Sequence, residues 1–195
     1  MNHLTAGHEN VPDTPRLPPR RPATAKSGAV AVVLTLGLLG VRDNQAISRH
    51  RVQDDVGRQV VVPVHPRRIV SLAPSVTQML FALGAGDRVV GVTDQCDDPA
   101  EARSRPRVGG MVKPDWESVV RLRPDLVVAS TSGNDASLVA TVEDLGLPLY
   151  FMDAGNLKEL LNSMTHLAGL VGAAARGDEL RRSLEGRIKD LEGRT

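Results

Sequence analysis

Asp94, Asp97, Asp98 and Cys96 lie together in one short segment, and their side chains are the first candidates for chemistry. The three carboxylates could accept hydrogen bonds from a polar ligand or repel an anionic one, and a solvated loop rich in turn-forming residues is an equally good interpretation. Cys96 is the only cysteine, which excludes an internal disulfide, a CxxC redox pair and a cysteine-based zinc site. A small space-filling side chain is a better interpretation of Cys96 than a nucleophile.

Catalytic and metal-binding sets are not evident in the sequence. His50, His65 and His166 share no spacing typical of metal ligands, so no metal is predicted. There is no Ser/His/Asp or Cys/His constellation, and we predict no catalytic residues. An enzyme that uses a nucleotide on a Rossmann-like domain would need a glycine loop directly after its first strand, whereas the segment Leu72–Ser75 ends that strand with Leu-Ala-Pro-Ser.

The composition limits the partners of the protein. Lys and Arg number 24 and Asp and Glu 23, so the net charge of +1 gives no electrostatic reason to expect nucleic acid. The chain has one Trp, one Tyr and two Phe, so a binding site cannot depend on many aromatic walls. Arg107 lies just before two glycines and could meet an anionic group, although an exposed surface position is the safer expectation.

Residues 1–50 have the composition of a disordered basic leader. They contain an uncharged apolar run at residues 28–41, which is shorter than the ~20 residues that span a membrane. An export signal is therefore the preferred interpretation, with an uncleaved anchor second. Either interpretation places the protein outside the cytoplasm, in the periplasm or at the cell envelope.

From residue 51 onward, β-rich runs alternate with helical patterns. Residues 51–63 predict two short strands around a turn at Asp55-Val56-Gly57. Four buried strands are then predicted, within residues 68–73, 88–93, 126–130 and 148–153, with a short fifth at Arg107-Val108. Helices are predicted over residues 75–84, 114–123, 135–146, 156–171 and 174–192, with Ser75 as the N-cap of the first. The pattern predicts an α/β fold, a parallel sheet with helices on both faces.

In a parallel sheet the loops after the carboxyl ends of the strands share one edge, where ligands bind. Here those loops are residues 73–75, 93–98, 109–111, 130–134 and 153–154, and they are polar, small or glycine-containing. Thr131, Ser132 and Asn134 are possible hydrogen-bond donors to a ligand, and they are equally ordinary loop residues. The architecture alone thus nominates a ligand edge.

The segments "DDVGRQVVVPVHPRRIVSLAPSVTQMLFALGAGDRVVGVT", "PRVGG" and "LRPDLVVAS", in this order, resemble the Fe/B12 periplasmic-binding family. Its members are non-catalytic extracytoplasmic receptors of ABC importers for cobalamin, iron-siderophores and haem. The resemblance extends from about Asp54 to the end of the chain. It implies two α/β lobes joined by a long helix, so that residues 51–172 are the N-terminal lobe, residues 173–195 are the start of the joining helix, and the second lobe is missing. It implies no cofactor other than the transported ligand.

The same resemblance assigns roles to individual residues. It implies ligand contacts from Ser75, Gln95, Met111, Ser130 and Asn134, although cobalamin binders carry aromatic side chains where this chain has Gln95, Met111 and Ser130. Glu117 matches the position at which a glutamate docks onto arginines of the membrane permease, and it also suits the helix dipole.

One further interpretation stays open at this point, and another fits the sequence poorly. A non-transport interaction module, or an inactive fragment, that keeps the lobe fold is the alternative in another functional class. A receptor for zinc or manganese would require histidines at the ligand edge, and the loops there contain none.

Overall fold

Strands and helices follow one another along the chain in the predicted order. A computed structural model describes residues 48–135, 137–153 and 155–193, which belong to a single compact unit, Gln45–Thr195. The strands are β1 Arg49–Gln53, β2 Gln59–Pro63, β3 Ile69–Ser71, β4 Val89–Val92, β5 Leu126–Ser130 and β6 Leu149–Met152. The helices are α1 Pro74–Ala82, α2 Trp116–Arg121, α3 Leu138–Asp144, α4 Leu157–Leu170 and α5 Ala174–Glu192.

The predicted leader lies almost entirely outside the described residues, and so does the apolar run at residues 28–41. No helix in the described part of the chain is long and apolar enough to cross a membrane. The division between a leader, a lobe and a joining helix remains a prediction.

β1 and β2 form the predicted antiparallel hairpin, in the register Arg49↔Pro63 to Gln53↔Gln59. Asp54 closes the turn, since its Oδ1 accepts a hydrogen bond of 2.7 Å from the backbone N–H of Arg58. Gly57 has a φ of +86°, a conformation that glycine adopts without a steric penalty. Local turn chemistry therefore sets the hairpin.

The other four strands form a parallel sheet in the order β4-β3-β5-β6, which confirms the predicted fold class. Successive side chains of a strand point to opposite faces, and the core divides accordingly. Ile69 and Val128 belong to a cluster that includes residues of α1 and α4, whereas Val70 and Val127 belong to a second cluster with residues of α2 and α3. Both faces of the sheet are thus covered by helices.

Three local predictions were wrong. Ser75 is not the N-cap of α1, because Ala73 occupies that position and Pro74 begins the helix; the fixed φ of proline and its missing N–H suit the first helical residue. Helix α3 starts at Leu138 rather than Asp135, since the Asp135 carboxylate accepts a hydrogen bond from the Ser137 N–H and forms a turn there. Arg107-Val108 forms only a single parallel bridge, Val92↔Arg107, instead of a strand.

Candidate functional site

The carboxyl ends of β3, β4, β5 and β6 lie on one edge of the parallel sheet, where the connecting loops can share a ligand. We call these loops, together with the neighbouring loop of residues 109–113, the ligand edge; it comprises residues 73–75, 93–98, 109–113, 130–134 and Asp153. Hydrogen bonds within and between these loops fix its geometry.

Arg107 holds the loop after β4 in place. Its Nη1 donates to the backbone oxygens of Thr93 and Cys96, at 2.8 and 3.0 Å, and its Nη2 donates to Oδ1 of Asp97 at 3.1 Å. Arg107 is half-buried rather than at an exposed surface position. Its guanidinium is therefore occupied by the loop and is paired with one oxygen of the exposed Asp97 carboxylate.

A buried cluster of small polar side chains lies beneath the same loop. Cys96 is fully buried, and its Sγ lies 3.2 Å from Thr77 Oγ1 and 3.1 Å from Thr93 Oγ1. The Thr77 hydroxyl also lies 2.8 Å from Ser71 Oγ. This environment agrees with the interpretation of Cys96 as a space-filling side chain.

The loop of residues 109–113 is joined to the loop after β4. The backbone N–H of Asp94 donates to the oxygen of Gly109 at 2.9 Å, and the N–H of Met111 donates to Oε1 of Gln95 at 3.3 Å. Gly109 has a φ of +82°, and a Cβ there would lie 2.8 Å from the backbone nitrogen of Asp115. Only glycine satisfies both conditions at this position.

Two of the predicted ligand contacts, Ser130 and Asn134, are buried. Ser130 ends β5 and is 1% exposed, and its Oγ accepts a bond from the N–H of Ser132. Asn134 is 6% exposed and bonds three backbone groups. Ser75 and Met111 are half-buried and Gln95 is exposed. A contact between any of these five residues and a ligand remains a prediction.

The charges of the ligand edge are predominantly negative. Asp98 accepts a bond from Gln78 Nε2 and Asp153 accepts one from Thr131 Oγ1, so two carboxylates are bonded to neutral groups. Asp94 is exposed, and the only cationic side chain on the edge is that of the exposed Lys113. The ligand edge thus presents hydrogen-bond acceptors, rather than positive charge, to a ligand.

Sequence reasoning missed one polar centre, at Asp55, whose carboxylate joins the hairpin turn to β6 and α4. Its Oδ1 accepts from the Tyr150 hydroxyl at 3.0 Å and lies 2.6 Å from His166 Nδ1, and its Oδ2 accepts from the N–H of Asp153 at 3.2 Å. Burial raises the pKa of Tyr150 far above its ordinary value, and the Asp55 charge adds to this effect. The sequence offered no signal beyond the turn itself, since Asp55 and His166 are 111 residues apart.

A cleft of about 760 Å³ lies beside this centre, between the hairpin and α4. Its lining includes Asp55, His166 and Glu159. Among the described residues, no group of three or more His, Cys, Asp and Glu side chains is placed to hold a metal ion. The Asp55 carboxylate is already bonded to protein groups, so we assign the candidate site to the ligand edge instead.

Glu117 lies in the first turn of α2 with its side chain exposed. Asp115 caps this helix, because its side chain accepts hydrogen bonds from the N–H groups of Glu117 and Ser118. The Ser118 hydroxyl also donates to this carboxylate, and that bond, followed by the backbone bonds, holds the pKa of the Asp115 carboxyl below its usual value. The Glu117 carboxylate itself remains available to a partner.

A family model described as "Periplasmic binding protein" matches residues 69–195, which is more than half of the chain. The chain belongs to the periplasmic binding protein family. This membership confirms the resemblance that the sequence motifs indicated, and the parallel sheet of the described residues is the fold seen in solved structures to which it is similar.

Two curated relatives and one solved structure show how far this likeness to periplasmic binding proteins extends. The ABC transporter substrate-binding lipoprotein YvrC of Bacillus subtilis is 34% identical over 144 residues, which is 72% of this chain and 46% of the relative. The vitamin B12-binding protein of Vibrio parahaemolyticus is 28% identical over 127 residues, which is 65% of this chain and 46% of the relative. The crystal structure of the periplasmic vitamin B12 binding protein BtuF of Vibrio cholerae superposes with a TM-score of 0.62 at 29% identity, covering 68% of this chain and 52% of that one.

The chain therefore spans about half the length of the relatives that it matches.

Proposed function

We propose that this protein is an extracytoplasmic solute-binding component of an ABC importer, and that the ligand edge is its contribution to the binding site. The observation that carries the proposal is the convergence of polar loops at the carboxyl ends of four parallel strands, in a chain of the periplasmic binding protein family. The role is binding rather than catalysis, which agrees with the family. An exported location is proposed from the substrate-binding lipoprotein and periplasmic relatives.

Cobalamin is the first ligand to test, ahead of haem and ferric siderophores. The relatives that bind vitamin B12 support this choice. The charge of the ligand edge supports it too, because Asp94, Asp98 and Asp153 would repel the carboxylates of haem, while they can accept hydrogen bonds from the amide groups of a corrinoid. The charge of Arg107 offsets little of this repulsion, because it is paired with the Asp97 carboxylate at 3.1 Å.

Isothermal titration of the full chain with cyanocobalamin, haemin and a ferric trihydroxamate tests the proposal. We expect cyanocobalamin to bind roughly tenfold or more tightly than haemin at low salt, because the edge is acidic. The Asp94→Asn variant removes one exposed charge without a change in shape. It should therefore reduce the difference in affinity between cyanocobalamin and haemin.

Each outcome of the titration tests a different part of the proposal. Tighter binding of haemin would contradict the ligand class and leave the solute-binding role in place. Binding of none of the three compounds would contradict the solute-binding role and favour an interaction module or an inactive fragment that keeps the lobe fold.

Permease docking through the face that carries Glu117 is a second part of the proposal. An exposed carboxylate at a helix start can make charge-assisted hydrogen bonds with arginines of a permease. Changing Glu117→Lys should reduce ligand uptake into proteoliposomes that hold the partner permease and ATPase at least ~tenfold, through like-charge repulsion. Ligand affinity should not change, and Arg121→Glu on the last turn of the same helix is a control for surface charge. Unaltered uptake by the Glu117→Lys protein would exclude docking at this residue.

A further inference from the structure

Asn134 bonds three separate backbone segments at the ligand edge. Its Oδ1 accepts a hydrogen bond of 2.9 Å from the N–H of Ser130, at the end of β5. Its Nδ2 donates to the oxygen of Leu72, after β3, at 3.1 Å and to the oxygen of Met111 at 2.8 Å. One buried amide therefore connects the loops that follow β3 and β5 with the loop of residues 109–113.

The chemistry of these three partners requires an amide side chain. A backbone N–H needs an acceptor and two backbone oxygens need two donors, and an asparagine provides one oxygen and two N–H groups in a fixed plane. An aspartate at this position would face both carbonyl oxygens with negative charge, and a serine or threonine has a single donor. Because Asn134 is only 6% exposed, loss of its side chain would leave buried backbone groups without their hydrogen-bond partners.

A second contact brings two of the same loops together. Gly133 lies beneath the side chain of Met111, and a Cβ on Gly133 would overlap the Met111 sulfur. The Met111 N–H in turn donates to Gln95, so the loop after β4 is linked to this arrangement as well. The four loops are thus interlocked, and Asn134 is buried among them at 6% exposure.

We infer that Asn134 is a positioning residue, which holds the ligand-edge loops in one arrangement before a ligand arrives, rather than a residue that touches the ligand. Both of its N–H donors are used by Leu72 and Met111, so neither remains for a ligand. A preformed edge lowers the entropic cost of ordering loops at the moment of binding. This inference rests on the proposed function of the edge as a ligand site.

Two variants and a control test the inference with the full chain. Asn134→Ala removes all three bonds, and Asn134→Asp keeps the acceptor for Ser130 but loses both donors. Val62→Ala is the control, because Val62 is fully buried on β2 and outside the edge loops, so its loss lowers stability without touching them. All titrations use cyanocobalamin at a temperature at which each variant is fully folded.

We expect both Asn134 variants to bind cyanocobalamin roughly tenfold or more weakly than the unmodified protein, because the binding loops must then be ordered on binding. Val62→Ala should bind cyanocobalamin with unchanged affinity, even where its melting temperature is as low as that of the Asn134 variants. Equal affinity losses in the Asn134 and Val62 variants would reduce Asn134 to a general stability residue and overturn the inference.

Amide hydrogen exchange of the unliganded variants tests whether Asn134 connects the loops, independently of ligand affinity. Exchange should accelerate selectively in residues 72–75 and 109–113 of the Asn134 variants, and not in the Val62 control. Unchanged exchange in these segments would overturn the inference. If the unmodified protein fails to bind cyanocobalamin while the exchange result is as expected, the proposed ligand fails and the positioning of the loops by Asn134 stands.

Discussion

Replacing Asp55 with alanine is expected to lower the free energy of unfolding by about 3 kcal/mol, because several hydrogen bonds to one buried carboxylate are lost together. The Asp55 side chain is 6% exposed and bonds Tyr150, His166 and the N–H of Asp153. These groups lie on β6, on α4 and just after β6, whereas Asp55 lies in the turn of the hairpin. Its loss should therefore loosen the hairpin from the rest of the fold, which urea denaturation followed by circular dichroism will measure.

The single tyrosine supplies a spectroscopic test of the same centre, since tyrosinate absorbance reports Tyr150 alone. Burial and the Asp55 charge raise the pKa of Tyr150 above the ordinary value of about 10. The absorbance should therefore stay low in the folded protein at a pH where the denatured chain is ionised. In Asp55→Ala the pKa should fall towards the ordinary value but remain above it, because burial is the larger cause.

The sign of the pH dependence follows from this shift. A group whose pKa is raised on folding stabilises the fold below its unfolded pKa, so the contribution of Tyr150 is fully present below pH ~10 and is lost as the pH rises further.

Asp94→Ala is the matched control for Asp55→Ala, because Asp94 is exposed and its change should alter stability by no more than ~0.5 kcal/mol. If Asp55→Ala lost no more stability than Asp94→Ala, Asp55 would not hold the hairpin to the rest of the fold. Titration of Tyr150 at its ordinary pKa in the folded protein would likewise contradict the role of Asp55.

Replacing Gly109 with alanine is expected to cost about 2 kcal/mol or more, because two independent constraints require glycine there. The φ of +82° is a left-handed conformation, and a Cβ would lie 2.8 Å from the backbone nitrogen of Asp115. That nitrogen donates to the oxygen of Val108, and the oxygen of Gly109 accepts from the N–H of Asp94. The substitution should therefore disturb the ligand edge as well as lower the melting temperature.

The neighbouring glycine provides a matched control for Gly109. A Cβ on Gly110 would have its nearest atom, the oxygen of Lys113, at 3.9 Å, which is ordinary van der Waals contact. Gly110→Ala should therefore change the free energy of unfolding by no more than ~0.5 kcal/mol. Equal effects of the two alanine substitutions, measured by thermal denaturation, would show that the backbone conformation at Gly109 is not the constraint that we describe.

Hydrophobic patterning predicted the fold well, because it depends on local sequence. The run Leu126–Ser130 is buried along its whole length, as a central parallel strand requires, and it became β5. The helices over residues 156–171 and 174–192 were also predicted within a residue or two of their observed bounds. The start of α1 was misplaced because a proline at the first helical position outweighed the capping preference of Ser75.

The connections that hold the candidate site could not be predicted in the same way. Asn134 bonds Leu72, which is 62 residues away, and Asp55 lies beside His166 across 111 residues. No periodicity or spacing reports such pairs, since they exist only after the sheet has formed. The sequence therefore identified the loops of the ligand edge but not which of their side chains are used to hold the loops together.

The most direct test of the account is a hydrogen-exchange footprint of the full chain with saturating cyanocobalamin. We predict that the ligand slows exchange in residues 93–98, 109–113 and 130–134, where the loops of the ligand edge meet. Slower exchange confined to the hairpin turn and α4, around the cleft beside Asp55, would contradict the assignment of the ligand edge.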